Sequence, residues 1–253
     1  MESRKIVLVT GGSRGLGKEM AIKIAGKGMD VIITYRGNKQ GAEDTIQQVE
    51  KSGGKAVALP LDMSGFSSLD SFVFEVENVL QKQWNGSRLF GLVNNAGIGG
   101  NFSFGKVTEQ VFDEFLNIHF KGVYFLTQKL LPLFEDGGRI VNISTGTTRF
   151  VNPGYSVYAS MKGAIEVFTK YLAKELGTRG IRANVVAPGP IETDFNSATI
   201  RNNPELKSRL SSLTPLGRVG NAEDVGGVVA FLFTDEAGWL NGQRIEVSGG
   251  INV

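Results

Sequence analysis

Short runs of β-branched and apolar residues alternate with longer amphipathic stretches along the chain. Ile6–Thr10, Asp30–Thr34, Ala56–Leu59, Leu89–Asn94, Arg139–Ile143, Ala183–Ala187 and Arg244–Val247 read as strands. The first six are mostly continuous apolar runs, the pattern of strands covered on both faces. Between them, apolar positions recur at helical spacing over roughly Leu16–Lys27, Ala42–Ser52, Ser67–Gln83, Glu109–Leu133, Ser156–Thr178 and Ala222–Phe233. This alternation predicts an α/β fold built on a doubly wound parallel sheet of about seven strands. No linker or change of composition divides the 253 residues, so residues 1–253 are expected to form a single domain. One segment breaks the rhythm: residues 188–218 are polar, long and interrupted by prolines. Lying just after the C-terminal end of a strand, it is expected to be a substrate lid, with a plain surface loop as the alternative.

Composition narrows the classes of function. The 34 glycines exceed the usual share and point to tight turns and close backbone approaches. With no cysteine, disulfides, thiolate catalysis and cysteine-ligated zinc are excluded. A net charge of +2 gives no nucleic-acid footprint. The first residues lack the length and cleavage site of a signal peptide. No apolar stretch approaches a membrane span, since even Gly122–Phe134 is broken by Gln128, Lys129 and Pro132. The expectation is a soluble cytoplasmic protein without membrane or nucleic-acid partners. His119 is the sole histidine and has no ligand-spaced cluster around it, so it reads as a packed helix residue and no metal site is expected. Most of Phe102, Phe104, Phe112, Phe115, Phe120 and Phe125 read as packing for a long helix, against the core or a second subunit.

Two motifs carry chemistry. Thr10-Gly11-Gly12-Ser13-Arg14-Gly15-Leu16-Gly17 follows a strand and opens a helix, as a dinucleotide-binding turn does. Gly11 permits the tight turn, Gly15 lets backbone approach a pyrophosphate, and Gly17 lets helix and strand pack closely. The helix N-terminus offers free amides and a positive dipole end to phosphates. Tyr158 and Lys162, four apart, share one helix face. A phenol titrates near pH 10, so a donor working near neutrality needs about 3–4 kcal/mol of assistance. A cation at about 4 Å in a partly screened site supplies that order of energy.

Thr10-Gly11-x3-Gly15-x-Gly17, Asn94-Asn95-Ala96-Gly97 and Tyr158-x3-Lys162 stand in the order and approximate spacing of the short-chain dehydrogenase/reductase family. Pro188-Gly189-Pro190-Ile191-Glu192-Thr193, then Gly242-Gln243 and Gly249-Gly250, extend the resemblance over nearly the full length. It implies one Rossmann domain in which a nicotinamide cofactor exchanges hydride with a carbonyl or alcohol. By resemblance, Tyr158 is the general acid/base and Lys162 its pKa-lowering, ribose-binding partner. Asn117 matches the helix asparagine that helps hold a water in the proton relay. The family's serine, thirteen residues before the tyrosine, is here Thr145, with Ser144 beside it. Successive strand residues face opposite ways, so one of the two hydroxyls is expected to reach the substrate oxygen, with Thr145 favoured and Ser144 the alternative.

The resemblance also implies cofactor contacts at Gly11, Ser13, Arg14, Gly15, Leu16 and Gly17, at Tyr35 and Arg36, and at Asp62 and Met63. Asn94, Ala96 and Gly97 would line the adenosine side, although the Asn pair equally suits bracing of the central strands. Pro188, Gly189, Ile191 and Thr193 would border the nicotinamide. The second strand ends Thr34-Tyr35-Arg36-Gly37-Asn38 without the acid typical of NAD binding. Arg36 and Arg14 suit a 2′-phosphate, so NADP(H) is favoured and NAD(H) is the alternative. The 3-oxoacyl-carrier-protein reductases are a close general resemblance, making an acyl carrier protein an alternative partner to a small carbonyl compound. Arg179 matches one basic docking position, but Glu135-Asp136 stand where a base is typical. A general carbonyl reductase is therefore ranked first. Resemblance further implies a homotetramer built on the two long helices. A nucleotide-sensing protein without catalysis is the reading from another class, opposed by Asn117, Tyr158 and Lys162.

Overall fold

A computed structural model describes residues 4–65 and 68–253; the predicted helix start at Ser67 lies outside the described residues. The strands are β1 (Ile6–Val9), β2 (Asp30–Tyr35), β3 (Ala56–Pro60), β4 (Leu89–Asn94), β5 (Phe134–Ile143), β6 (Arg182–Pro188), β7 (Ile191–Glu192), β8 (Gly220–Asn221) and β9 (Arg244–Val247). Seven of them form one sheet in the order β3-β2-β1-β4-β5-β6-β9, with every pairing parallel. β7 and β8 pair separately. The chain winds outward from β1 in one direction and from β4 in the other. The crevice where the order reverses, beyond the C-terminal strand ends, is where such folds bind ligands.

Strand residues alternate between two apolar layers because successive side chains point to opposite faces. Val7, Val9, Val31 and Ile33 pack with α1 (Gly15–Ala25), α2 (Lys39–Lys51) and α9 (Ala222–Leu232). Ile6, Leu8, Ile32 and Leu92 pack with α3 (Leu69–Trp84), α5 (Gly122–Leu130) and α6 (Ser156–Glu175). The predicted helix over Glu109–Leu133 is composite. It comprises α4 (Glu109–Leu116), a π-helical turn over Asn117–Lys121, α5, and a 3-10 turn at Leu131–Leu133. A π turn carries more residues per turn than an α-helix, which shifts the phase of every side chain beyond it. β5 begins five residues earlier than the apolar run predicts, since Phe134 pairs with Leu89 before a register shift leads into the Gly91–Arg139 pairing. The segment after β6 holds β7, α7 (Phe195–Asn202) and α8 (Pro204–Ser212), so it is structured rather than a bare loop. Asn196, Ser197 and Ala198 interrupt α7 with left-handed backbone.

A chain of buried polar side chains ties the helices to the sheet. Asn94 Nδ2 on β4 donates to Thr127 Oγ1 on α5 at 3.0 Å and to Asn142 Oδ1 on β5 at 2.8 Å. Asn142 Nδ2 donates to Thr169 Oγ1 on α6 at 2.8 Å. Each of these side chains is at most 4% exposed. In that surrounding an unpaired amide costs roughly 1–3 kcal/mol, so the partners hold one relative position. Asn142→Ala is therefore expected to lower stability by roughly 2–4 kcal/mol, because it removes two buried hydrogen bonds, leaving Asn94 with Thr127 alone and Thr169 with Ile165 O alone. Urea unfolding followed by circular dichroism measures this; a loss below about 1 kcal/mol would contradict it.

Candidate active site

The cleft begins at the turn after β1. Thr10 Oγ1 donates to Val93 O at 3.2 Å and accepts from the amides of Asn95 (2.9 Å) and Ala96 (3.0 Å). Asn95 Nδ2 returns to Thr10 O at 2.9 Å, locking the turn to the end of β4. Gly11 has φ +69, a left-handed conformation that favours glycine. A Cβ on Gly17 would sit 2.1 Å from Gly11 O, so helix and turn approach at a distance only glycine allows. α1 starts at Gly15 with no side-chain cap, and its first amides are left for an anion.

From there a cleft of about 1320 Å³ runs along the C-terminal strand ends. Gly11, Ser13, Arg14, Gly15, Leu16 and Gly17 line its start. Tyr35, Arg36, Asp62 and Met63 form one wall, and Ala96 and Gly97 the floor beside them. Arg14 and Arg36 are exposed and have no carboxylate partner among the described residues, so both guanidiniums are available to a phosphate. Asp62 accepts from the Ser64 amide at 2.9 Å and its hydroxyl at 2.7 Å. These bonds, helped by the field of Arg36, hold its carboxyl below the ordinary value. Pro188, Gly189, Ile191 and Thr193 border the far side.

Two expected site residues are elsewhere. Asn94 does not line the cleft; its amide is spent in the buried chain that links β4 to α5 and β5, and Asn95 takes its place at the cleft. Asn117 is half-buried and outside the cleft, whereas Ile118 and His119 line it. The π turn sets this phase, which simple helical spacing misses.

The reactive groups meet where β5 ends. Ser144 and Thr145 are now distinguishable. Ser144 is 2% exposed, and its hydroxyl donates to Glu166 Oε1 at 2.6 Å. The same oxygen accepts from Thr148 Oγ1 at 2.6 Å and Arg244 Nε at 2.9 Å, while Arg244 Nη2 donates to Thr145 O at 3.1 Å. Ser144 and its neighbours thus brace the loop, while Thr145 Oγ1 accepts from the Thr147 amide at 3.3 Å and lines the cleft with Tyr158. Burial raises the Tyr158 phenol above its ordinary pKa, with the Thr145 hydroxyl opposing the shift. The depression by Lys162 expected from spacing is not found: burial, helped by the neighbouring Tyr155, sets the direction. Nζ donates to Ile143 O at 2.7 Å and lies 5.8 Å from the Tyr158 ring centre. Burial holds Lys162 down to about 8.

His119 is a site neighbour that spacing alone passed over. It is 1% exposed, and its ring stands perpendicular to Tyr158 with centroids 5.1 Å apart. Burial and the Lys162 charge keep it neutral, with a pKa lowered to about 3. The substrate end is apolar, walled by Ile98, Phe150, Phe195, Leu206, Leu210 and Leu213. The 188–218 segment borders it: Asn196 Nδ2 donates to Tyr155 Oη at 3.4 Å, and the Phe195 ring lies 6.2 Å from the Tyr158 ring. Among the described residues no cluster of side chains could hold a metal ion, and no helix is long and apolar enough to cross a membrane.

Residues 11–252 match the family described as enoyl-(acyl carrier protein) reductase. The 3-oxoacyl-[acyl-carrier-protein] reductase FabG of Staphylococcus aureus is 35% identical over 253 residues, covering 99% of each chain. Among solved structures, the promiscuous reductase LugOII, which catalyses keto-reduction at C1 during lugdunomycin biosynthesis, superposes with a TM-score of 0.93 at 34% identity and 99% coverage of both chains. The angucycline C-6 ketoreductase LanV, solved with bound NADP, gives 0.92 at 33% identity, covering 98% of this chain and 95% of its own.

Thr145→Ala is expected to cut turnover of a carbonyl substrate by about a hundredfold, the scale of one lost oxyanion donor. Ser144→Ala should cut it by less than about tenfold while lowering the melting temperature, since it frees a buried carboxylate contact. Steady-state rates with thermal unfolding of both variants check this; equal and mild effects on turnover would refute the assignment.

Proposed function

The chain belongs to the short-chain dehydrogenase/reductase family of oxidoreductases, and on that premise we propose that it reduces a ketone to a secondary alcohol with NADPH. The observation that carries this reading is the meeting of Thr145, Tyr158 and Lys162 in one cleft with the glycine turn and two arginines that have no carboxylate partner among the described residues. The cofactor supplies the hydride. The backbone of the glycine turn and the first amides of α1 suit its pyrophosphate, and Arg14 and Arg36 its 2′-phosphate. Pro188, Gly189, Ile191 and Thr193, which line the far side of the cleft, would border its nicotinamide ring.

Thr145 donates to the carbonyl oxygen and draws off electron density as charge develops there. Tyr158 hands its phenolic proton to the same oxygen, completing the alcohol. The Lys162 ammonium stabilises the tyrosinate left behind. A buried phenol with a raised pKa holds its proton firmly until the negative charge appears beside it, which suits an acid rather than a base.

The apolar walls favour an uncharged ketone of medium to large size, in keeping with ketoreductases as structural neighbours. The second reading, a 3-oxoacyl-carrier-protein reductase, draws on the FabG relative. Against it, Arg179 is engaged with Asp136 at 2.8 Å and Phe134 O at 2.8 Å, and so is withdrawn from an acidic carrier. We further infer a homotetramer in the cytoplasm. Tyr124 on α5 and Val167 and Tyr171 on α6 expose apolar surface on the paired long helices, which a second subunit would cover.

Steady-state oxidation of NADPH and NADH with an aryl ketone, a 3-keto ester and a 3-oxoacyl thioester tests the reading. Turnover of the first two with NADPH is expected, and a strong preference for the thioester would move the chain to acyl-carrier chemistry. Arg36→Ala should raise the NADPH KM by about tenfold or more and leave that for NADH unchanged, the worth of one charge-assisted hydrogen bond. Lys162 acts as a cation, so its active form prevails below its lowered pKa. Reductive kcat should accordingly be level to about neutrality and fall as pH rises through about 8; a rate still level above pH 9 would contradict this.

A further inference from the structure

Four hydroxyls crowd the loop after β5, those of Ser144, Thr145, Thr147 and Thr148, and the proposed reduction employs that of Thr145 alone. Ser144 donates to Glu166 Oε1 at 2.6 Å, and Thr148 Oγ1 to the same oxygen at 2.6 Å, so two of the four protons are spent on the carboxylate. Thr147 Oγ1 instead donates to Thr145 Oγ1 at 3.2 Å, and the Thr147 amide reaches the same oxygen at 3.3 Å. Within the loop, no oxygen takes the Thr145 proton.

The turn that brings these groups together is local. Thr145 caps the 3-10 turn Gly146–Thr148, which aims the amide two residues on at its side chain. A Cβ on Gly146 would sit 2.6 Å from the Phe150 ring, so glycine lets the turn close onto that ring. Thr148 Oγ1 also meets Thr145 O at 3.0 Å, and Arg244 Nη2 donates to that carbonyl at 3.1 Å. The Thr145 backbone is thereby held from two sides while its side chain is held by Thr147. Thr147 is half-buried and lines the cleft beside Thr145.

A hydroxyl has one proton and two lone pairs. The amide and hydroxyl of Thr147 occupy both lone pairs of Thr145 Oγ1, which leaves its proton as the one remaining capacity and the cleft as the place to use it. We propose that Thr147 is a positioning residue for the reduction: its amide and hydroxyl hold Thr145 as a donor to the substrate's carbonyl oxygen. With that oxygen seated, the hydrogen bonds run one way, from Thr147 to Thr145 to the carbonyl. Each bond polarises the next, so the last strengthens as negative charge develops on the oxygen. Neither threonine gives up its proton; the Tyr158 phenol completes the alcohol. Without a hydroxyl at position 147 a lone pair of Thr145 falls free, and its proton is no longer directed.

Because this role rests on the proposed reductase reading, one arm of its test needs no turnover. Neutron diffraction from deuterated crystals of the protein locates hydroxyl deuterons directly. The Thr147 deuteron is expected on the line to Thr145 Oγ1, and the Thr145 deuteron directed into the cleft. A Thr145 deuteron directed at Thr147 Oγ1 overturns the proposal whatever the substrate proves to be. The kinetic arm uses Thr147→Val, which keeps the shape and the amide and removes the hydroxyl. With an aryl ketone and NADPH, kcat should fall about five- to tenfold, the scale of one hydrogen bond, while KM stays within about twofold of the parent. Thr147→Ser should recover the rate. In a Thr145→Ala background Thr147→Val should cost nothing further, since the two hydroxyls act as one unit. Equal losses in both backgrounds, or a rise in KM with kcat unchanged, overturn the proposal, provided circular dichroism shows each variant folded. Should Thr147→Val fail to fold, the neutron map of the parent protein decides. Absence of turnover in the parent would overturn the reductase reading and leave that map to decide the direction of the hydrogen bonds.

Discussion

Everything at the reactive end depends on amides buried where the sheet meets its helices. Asn94 and Asn142 lie at most 4% exposed on adjacent central strands, and each must find partners or forfeit its hydration. They find Thr127 on α5 and Thr169 on α6, and so fix two helices against two strands by directional bonds. Apolar packing between Leu126, Ile140 and Ile165 supplies cohesion on the same face, but it tolerates sliding that a hydrogen bond does not. α6 carries Tyr158 and Lys162. Their position relative to the end of β5 is therefore set by polar bonds formed within the core.

The same economy governs the loop after β5. Glu166 projects from α6 and collects Ser144, Thr148 and Arg244, and Arg244 reaches on to the Thr145 carbonyl. Arg149 and Arg244 both meet Glu246 on β9, which closes the network onto the edge strand. Three separate stretches of chain thus hold the Thr145 backbone in place beside α6. Such preorganisation matters because donors held in place need no rearrangement as charge develops.

Burial has opposing consequences for the two groups on α6. It keeps the Tyr158 proton on and lowers the hold of Lys162 on its own. A phenol that keeps its proton and an ammonium near its titration point form a pair sensitive to what is placed between and beside them. The start of α7 adds to this sensitivity. Phe195 lies against the Tyr158 ring and Asn196, in the left-handed turn, reaches the Tyr155 hydroxyl, so the 188–218 segment is in direct contact with the start of α6.

Continuous apolar runs alternating with helical spacing in the sequence determined the doubly wound sheet, and local motifs the glycine turn and the Tyr158–Lys162 face. Those features follow from local geometry, which a linear chain displays. The extent of α1 and α9 and the apolar runs of β1, β2 and β4 were legible for the same reason. Tertiary structure decided what depends on partners distant in the chain. It assigned Asn94 to the core and Asn95 to the cleft, because the end of a strand turns one side chain inward and the next outward. It committed the Ser144 hydroxyl to Glu166 and left that of Thr145 to its own loop at the cleft, a division between neighbours that only the arrival of α6 can make. The π turn rotated His119 into the cleft and Asn117 out of it, since one extra residue in a helical turn changes the phase without leaving a mark on composition. Electrostatics was decided last: spacing placed an ammonium near a phenol, but the depth at which the fold buries both set the direction of their shifts.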